Sequence, residues 1–276
     1  DPRPRPARPR PGRRGSVVTE EHGAGWRMVK GDSLIALRDM PDESVDAVIT
    51  DPPYSSGGKA RAVKAPTSEK YTSLDFPEII GDARDQRSLL AWCSIWMAEC
   101  LRVCRSGGVI ASFTDWRQFP TMSDAIQAGG WVWRGSATWC KPSGSCRSFA
   151  GRITQASEYV LWGTKGAMPI EDGVQPISGY WVERPPLRER EHMTEKPIGV
   201  MRDLAKLCIP GGVILDPFAG SATTGVAALL EGRRFVGIET SAEYFPIACR
   251  RLAETEAGAE RGSMRVGQGA LFGAAS

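Results

Sequence analysis

Histidine is almost missing from this chain: two residues in 276, beside seven cysteines of which none forms a Cys-x-x-Cys pair. The usual His and Cys spacings of a metal site are therefore absent, and an odd cysteine count does not suit a disulfide framework. Long apolar runs are missing too. Nothing approaches the roughly 20 residues that cross a bilayer, and no signal-peptide pattern opens the chain. A soluble, cytoplasmic protein with no membrane partner is expected. What is present suits a packed core: 41% hydrophobic and 24% charged residues, without internal repeats. Cys93, Cys100 and Cys104 recur at helical spacing among Leu90, Trp96, Met97 and Leu101, which marks them as small core residues.

Strong basicity is also lacking once the first residues are set aside. Residues 1–15 hold six arginines against Asp1, a balance of +5 within a net charge of +3, so the remainder carries −2. Alternating Pro and Arg builds neither helix nor paired strand, so 1–15 is expected to be a disordered tail. It reads as a leader, with an electrostatic arm for nucleic acid as the alternative.

From Trp26 onward, strand-like and helix-like segments alternate. Short apolar runs at 26–30, 45–50, 108–113, 212–215 and 234–238 have the form of buried parallel strands. Helical stripes follow at 86–104 (Leu89, Cys93, Trp96, Cys100, Cys104) and 197–208 (Ile198, Met201, Leu204, Ala205, Cys208). Such alternation predicts an α/β fold with a doubly wound, mostly parallel sheet. Residues 131–139 alternate Trp131, Trp133, Gly135, Ala137 and Trp139 with polar partners, predicting one antiparallel strand beside 157–165 and a core role for most of the tryptophans. Segments 55–85 and 166–195 resist assignment, and long irregular stretches are commonly functional.

Two motifs carry chemistry. Asp51-Pro52-Pro53-Tyr54 follows the strand VDAVIT directly, at the end where open α/β sheets bind ligands. Two prolines fix an extended backbone that presents a carboxylate, an unpaired carbonyl and an aromatic ring together. A planar amino group conjugated to a ring would fit: Asp51 and the Pro52 carbonyl accept its N–H groups, and Tyr54 stacks. The second motif is Asp216-Pro217-Phe218-Ala219-Gly220-Ser221-Ala222-Thr223-Thr224-Gly225, between an apolar strand and an apolar helix. A glycine turn lets backbone approach a ligand, and Glu239 ends the next strand, where a carboxylate commonly holds ribose hydroxyls. No phosphate-cradling lysine is present, so a nucleoside without phosphates fits better than a dinucleotide.

Together with Gly237-Ile238-Glu239 and His192-Met193-Thr194-Glu195-Lys196-Pro197, these residues resemble the β-class of S-adenosylmethionine-dependent DNA amino-methyltransferases over nearly all of 26–250. The resemblance implies a Rossmann-like, circularly permuted methyltransferase sheet and S-adenosyl-L-methionine as cofactor. It implies methyl transfer to the N6 amine of a flipped-out adenine in double-stranded DNA, with cytosine-N4 as the alternative. Asp51, Pro52, Pro53 and Tyr54 are then catalytic. Asp32, Thr194, Lys196, Asp216, Pro217, Phe218, Ala219, Gly220, Ser221, Thr223, Thr224 and Glu239 bind the cofactor, Thr194 and Lys196 at its methionine end.

The same class admits a homodimer and a companion restriction endonuclease, in a bacterial or phage-infected cell. A 5-methylcytosine enzyme is disfavoured because no Pro-Cys dipeptide supplies its nucleophile. A non-catalytic DNA-binding protein on the same scaffold conflicts with the intact motifs. Lys59, Arg61, Lys64 and Lys70, facing only Glu69, and Lys141, Arg147 and Arg152, without an acidic residue in 141–155, are expected to contact phosphates. The base-reading insertion is placed at about 140–190 of a single catalytic domain over 16–256, with a flexible tail at 257–276. Relatives usually carry Gly where this chain has Ala222, and Ala222 is expected to lie inside the helix, where alanine is harmless. The permutation places 26–31 beside 234–238, bringing Asp32 to the cofactor's adenine. The alternative role for Asp32 is to cap the helix that starts at Ser33.

Overall fold

The computed structural model describes residues 19–54, 84–146, 148–169, 174, 176–186 and 196–271, with side chains described up to 258. The tail at 1–15, the loop lysines and arginine at 59, 61, 64 and 70, and Arg147 and Thr194 lie outside the described residues.

Nine strands form one sheet among the described residues: β1 (Thr19–His22), β2 (Trp26–Lys30), β3 (Val45–Thr50), β4 (Cys104–Thr114), β5 (Val132–Cys140), β6 (Ser157–Thr164), β7 (Tyr180–Val182), β8 (Val213–Asp216) and β9 (Arg234–Glu239). Their spatial order is β1-β2-β9-β8-β3-β4-β6-β5-β7. The helices are α1 (Ser33–Asp39), α2 (Gln86–Val103), α3 (Phe119–Ala128), α4 (Ile198–Ala205), α5 (Thr223–Leu230) and α6 (Tyr244–Leu271). Within β3, Ala47 and Ile49 face one core while Val48 faces the other. The first core packs against Met201 and Leu204 of α4, Ala227 of α5 and Phe245 of α6; the second packs against Leu37 of α1, Trp96 of α2 and Ile126 of α3. A strand buried on both sides has to be apolar at every position, which is why these runs show no period of two.

The expected pairing of 26–31 with 234–238 is found, with Trp26 opposite Phe235 and Lys30 opposite Glu239 in parallel. The connections diverge between β8 and β3: β8 leads through α5 to β9 on one side, and β3 leads through α2 to β4 on the other. That is the topological switch point, where open sheets leave a crevice at the carboxyl ends of their strands.

Four expectations change in detail. The strand at 131–139 does pair antiparallel with 157–164, but the strands that run against the parallel set are β6, inserted between β4 and β5 and antiparallel to both, and the edge strand β1, antiparallel to β2. Trp131 and Trp139 are buried, whereas Trp133 is 39% exposed because a register shift between Trp133 and Gly135 breaks the alternation. β1 was not anticipated: all four of its residues are exposed, and backbone pairing with β2 and an exposed Arg27–Glu20 ion pair at 3.3 Å join it to the sheet. Finally, α6 runs to Leu271 rather than giving way to a flexible tail at 257. Alanine and glutamate dominate 253–260, and a lone helical glycine such as Gly258 costs only about 1 kcal/mol against alanine.

Candidate active site

Asp216 ends β8 and is 2% exposed. Its Oδ1 accepts hydrogen bonds from Thr50 Oγ1 at 2.7 Å and Phe218 N at 3.0 Å, and its Oδ2 accepts one from Thr224 Oγ1 at 2.6 Å. Burial pushes its carboxyl up to about 6, against the pull of those donors. The carboxylate is thus turned into the protein, joining the ends of β3 and β8 to the start of α5. Phe218 is likewise committed, its ring 5.2 Å from both Trp92 and Trp96.

The glycine turn closes over Glu239. Gly220 N donates to Glu239 Oε2 at 2.8 Å, and Ser241 N donates to Oε1 at 2.6 Å. Glu239 is 9% exposed, and burial raises its pKa despite those amides. The turn of α1 abuts from the other side: Gly31 N donates to the Glu239 carbonyl at 3.0 Å, and Ser33 Oγ donates to the Pro217 carbonyl. Asp32 caps α1, its Oδ1 accepting from Leu34 N at 2.8 Å and Ile35 N at 3.3 Å. Its carboxylate therefore has the capping role, while its backbone lies at the Glu239 rim. Arg251 of α6 donates to Ser221 O at 2.8 Å, Ser221 Oγ at 2.7 Å and Thr223 Oγ1 at 3.2 Å, fixing the turn from behind.

Ala222 does not lie inside α5. It precedes the helix at φ 62° and ψ 37°, left-handed, and is fully buried. The turn from strand to helix is completed in the one region where a Cβ crowds the following carbonyl, at a cost of about 1–2 kcal/mol for any L-residue. Ala222→Gly is therefore expected to raise stability in urea denaturation by about 1 kcal/mol, part of the relief being offset by the looser unfolded chain. A loss of stability would show that the surrounding turn compensates the strain.

The Asp51-Pro52-Pro53-Tyr54 segment leaves β3 on the other side of the switch point. Asp51 Oδ2 accepts a bond from Lys196 Nζ at 2.6 Å, whereas its Oδ1 is buried with no hydrogen-bond partner among the described residues. Burial raises the Asp51 carboxyl to about 6; Lys196 pulls it down and Glu158 pushes it up. Lys196 is 5% exposed and also lies 3.2 Å from Glu158 Oε2, with the Phe113 ring 5.1 Å away. Burial alone would lower its pKa, but Asp51, Tyr54 and Glu158 hold it well above the ordinary lysine value. Tyr54 donates its hydroxyl to Glu158 Oε2 at 3.4 Å. The sequence grouped Lys196 with the cofactor residues; its ammonium instead sits on the Asp51 carboxylate.

Glu158 and Arg251 were missed. A single acid in the apolar strand SEYVLWGT was the available signal for Glu158. Lys141, expected on phosphate, is 19% exposed at its side chain and pairs with Glu158 at 2.5 Å. The β5–β6 register sets Glu158 opposite Trp139, so an acid distant in sequence becomes the neighbour of Lys141 in space. Arg152 lies over the exposed Phe149 ring at 5.6 Å.

A family model described as DNA methylase, of N6/N4 methyltransferases, matches residues 45–250. The chain belongs to this family. The N6/N4 DNA methylases are S-adenosylmethionine-dependent enzymes that act on exocyclic amines. This N6/N4 methylase is 28% identical to YubD of Escherichia coli K12 over 238 residues, 86% of this chain and 94% of YubD. Its fold is similar to that of M1.HpyAVI solved with SAM (TM-score 0.60, 24% identity, 82% of this chain and 98% of that one). It is also similar to the cytosine-N4-specific PvuII DNA methyltransferase (TM-score 0.63, 19% identity, 83% and 86%). Among the described residues of the methylase, no helix is long and apolar enough to cross a membrane.

Proposed function

We propose that this methylase transfers a methyl group to the N6 amine of adenine in double-stranded DNA. The observation that carries the reading is Asp51: one carboxylate oxygen is held by Lys196, and the other is buried and uncommitted at the switch point. S-adenosylmethionine, when bound, supplies an electrophilic methyl group. Glu239 and the backbone of the 217–221 turn suit the ribose and adenine end of that nucleoside. Lys196 sits beside Asp51, so a lysine charge borders the reacting nitrogen.

Asp51 Oδ1 and the Pro52 carbonyl accept the two N–H groups of the target amine. This turns the nitrogen lone pair out of the ring and toward the methyl group. Asp51 Oδ1, left uncommitted by Lys196, would stabilise the positive charge that grows on the amine nitrogen as it is methylated and would accept the proton that leaves it. Orientation of this kind supplies roughly 7–11 kcal/mol. The base has to leave the duplex stack to reach Asp51, and stacking on Tyr54 returns roughly 1–3 kcal/mol. The exposed segment around Phe149 and Arg152, within the insertion at 140–190, is the proposed DNA-reading element.

Incubation with labelled S-adenosylmethionine and duplex DNA, followed by digestion to nucleosides, is expected to yield N6-methyladenine. N4-methylcytosine would overturn the choice of base and keep the chemistry. Aspartate rather than serine at position 51 supports adenine.

A further inference from the structure

Four charged side chains alternate in a row across the strand ends: Asp51, Lys196, Glu158 and Lys141, with successive contacts of 2.6, 3.2 and 2.5 Å. The row sums to zero charge, which is what makes its burial tolerable. Two of its members come from the inserted hairpin. β6 enters the sheet against the parallel direction, so its first residues, and not its last, meet the reactive rim; Tyr159 pairs with Thr114 at the end of β4, and Glu158 lies one residue further out. Glu158 also accepts the Tyr54 hydroxyl. One carboxylate therefore touches the lysine that grips Asp51, the tyrosine that would stack the base, and Lys141.

We propose that Glu158 is a positioning residue: by sharing the Lys196 ammonium and the Tyr54 hydroxyl it keeps Asp51 Oδ1 uncommitted for the target amine. The proposal rests on the amino-methyltransferase reading of Asp51. An ammonium has three N–H donors and no preference for a single oxygen. Held between two carboxylates and walled by Phe113, Lys196 meets Asp51 from the Oδ2 side. Asp51 is already the closer partner, at 2.6 Å against 3.2 Å for Glu158; without the charge at position 158 the pull from the far side is gone, and the ammonium moves to bridge both Asp51 oxygens. The acceptor that the amine needs is then taken. Glu158 also lifts Asp51 electrostatically, whereas Lys196 and Lys141 lower it. The other charged or titratable groups near Asp51 are Tyr54, Asp216 at the end of β8 and, beyond Tyr54, Asp115 after β4.

The test is single-turnover methylation of duplex DNA by the full chain pre-bound to S-adenosylmethionine, between about pH 5 and pH 8. Wild type should lose rate on the acid side near pH 6, where Asp51 protonates. Glu158→Gln should lose roughly 10²-fold in rate at the alkaline plateau, with unchanged cofactor affinity, and its acid limb should move to lower pH. Lys141→Met should move that limb the other way, and Glu158→Asp should restore its position. Loss of the charge at 158 moves the limb in any case, so the plateau decides: a merely structural role would lower rate together with stability and cofactor affinity, whereas positioning lowers rate with cofactor affinity intact. An unmoved limb in both Glu158→Gln and Lys141→Met, or a wild-type plateau in Glu158→Gln, would overturn the proposal. A wild type that binds cofactor and methylates no duplex would overturn the parent reading together with it.

Discussion

Asp51→Ala is expected to reduce methyl transfer by about 10³-fold, the scale on which one preorganised partner of a developing charge acts, while S-adenosylmethionine still binds. The two effects separate because Asp51 leaves β3 on the far side of the switch point from Glu239 and the glycine turn. Its Oδ1 matters mainly as charge develops on nitrogen, so the loss should fall on kcat rather than on ground-state binding. The fold should survive, because Lys196 retains Glu158 at 3.2 Å. Asp51→Ser shortens the acceptor without rebuilding the pocket around it and should be nearly as inactive. Rapid-quench methylation and isothermal titration with cofactor check both halves; comparable losses in rate and cofactor affinity would place Asp51 in binding instead.

Lys196→Met should produce the opposite division. It removes the cation between Asp51 and Glu158, and breaking a buried pair in this way costs about 3–5 kcal/mol of stability. Asp51 can limit the damage by taking a proton, since burial and Glu158 already raise it to about 6 and Lys196 opposes that rise. Without the lysine its folded-state pKa climbs further above the unfolded value near 3.8. A group raised in this way favours the folded state at low pH and loses that contribution as pH rises through its folded-state pKa. The stability deficit of Lys196→Met should therefore widen from about pH 5 to pH 8, whereas its residual activity should recover over the same range as Asp51 ionises. Urea denaturation and single-turnover rates across that range measure the two trends. A deficit independent of pH would mean that Asp51 does not take up the proton.

The parallel half of the fold was legible because burial on both faces writes itself into composition. VDAVIT became β3 at the same residues, bounded by Ser44 and Asp51, and Trp26–Lys30 found its place beside β9. β1 was not legible: four exposed residues joined to β2 by backbone pairing leave no hydrophobic trace. The switch-point motifs could be read because their spacing is local. Glu158 could not, since its importance depends on a register between two strands, and register is not written in either strand alone. Lys141 was misplaced for the same reason. Ala222 failed differently: a left-handed backbone at a non-glycine residue contradicts the local preference on which sequence reading relies.

The reversed direction of β6 gives the hairpin's two connections opposite addresses. The link from β5 into β6, residues 141–156, opens beside Lys141 and Glu158, over the reacting rim. The link out of β6 starts at Lys165, whose backbone pairs with Gly107 and Gly108 at the far pole of the sheet. Chain length added in the first link changes what surrounds Lys141 and Glu158. Length added in the second is remote from the chemistry. If the link at 141–156 is the DNA-reading element proposed above, a lineage of such enzymes can vary what it reads by editing that one loop, leaving the residues at the switch point unaltered.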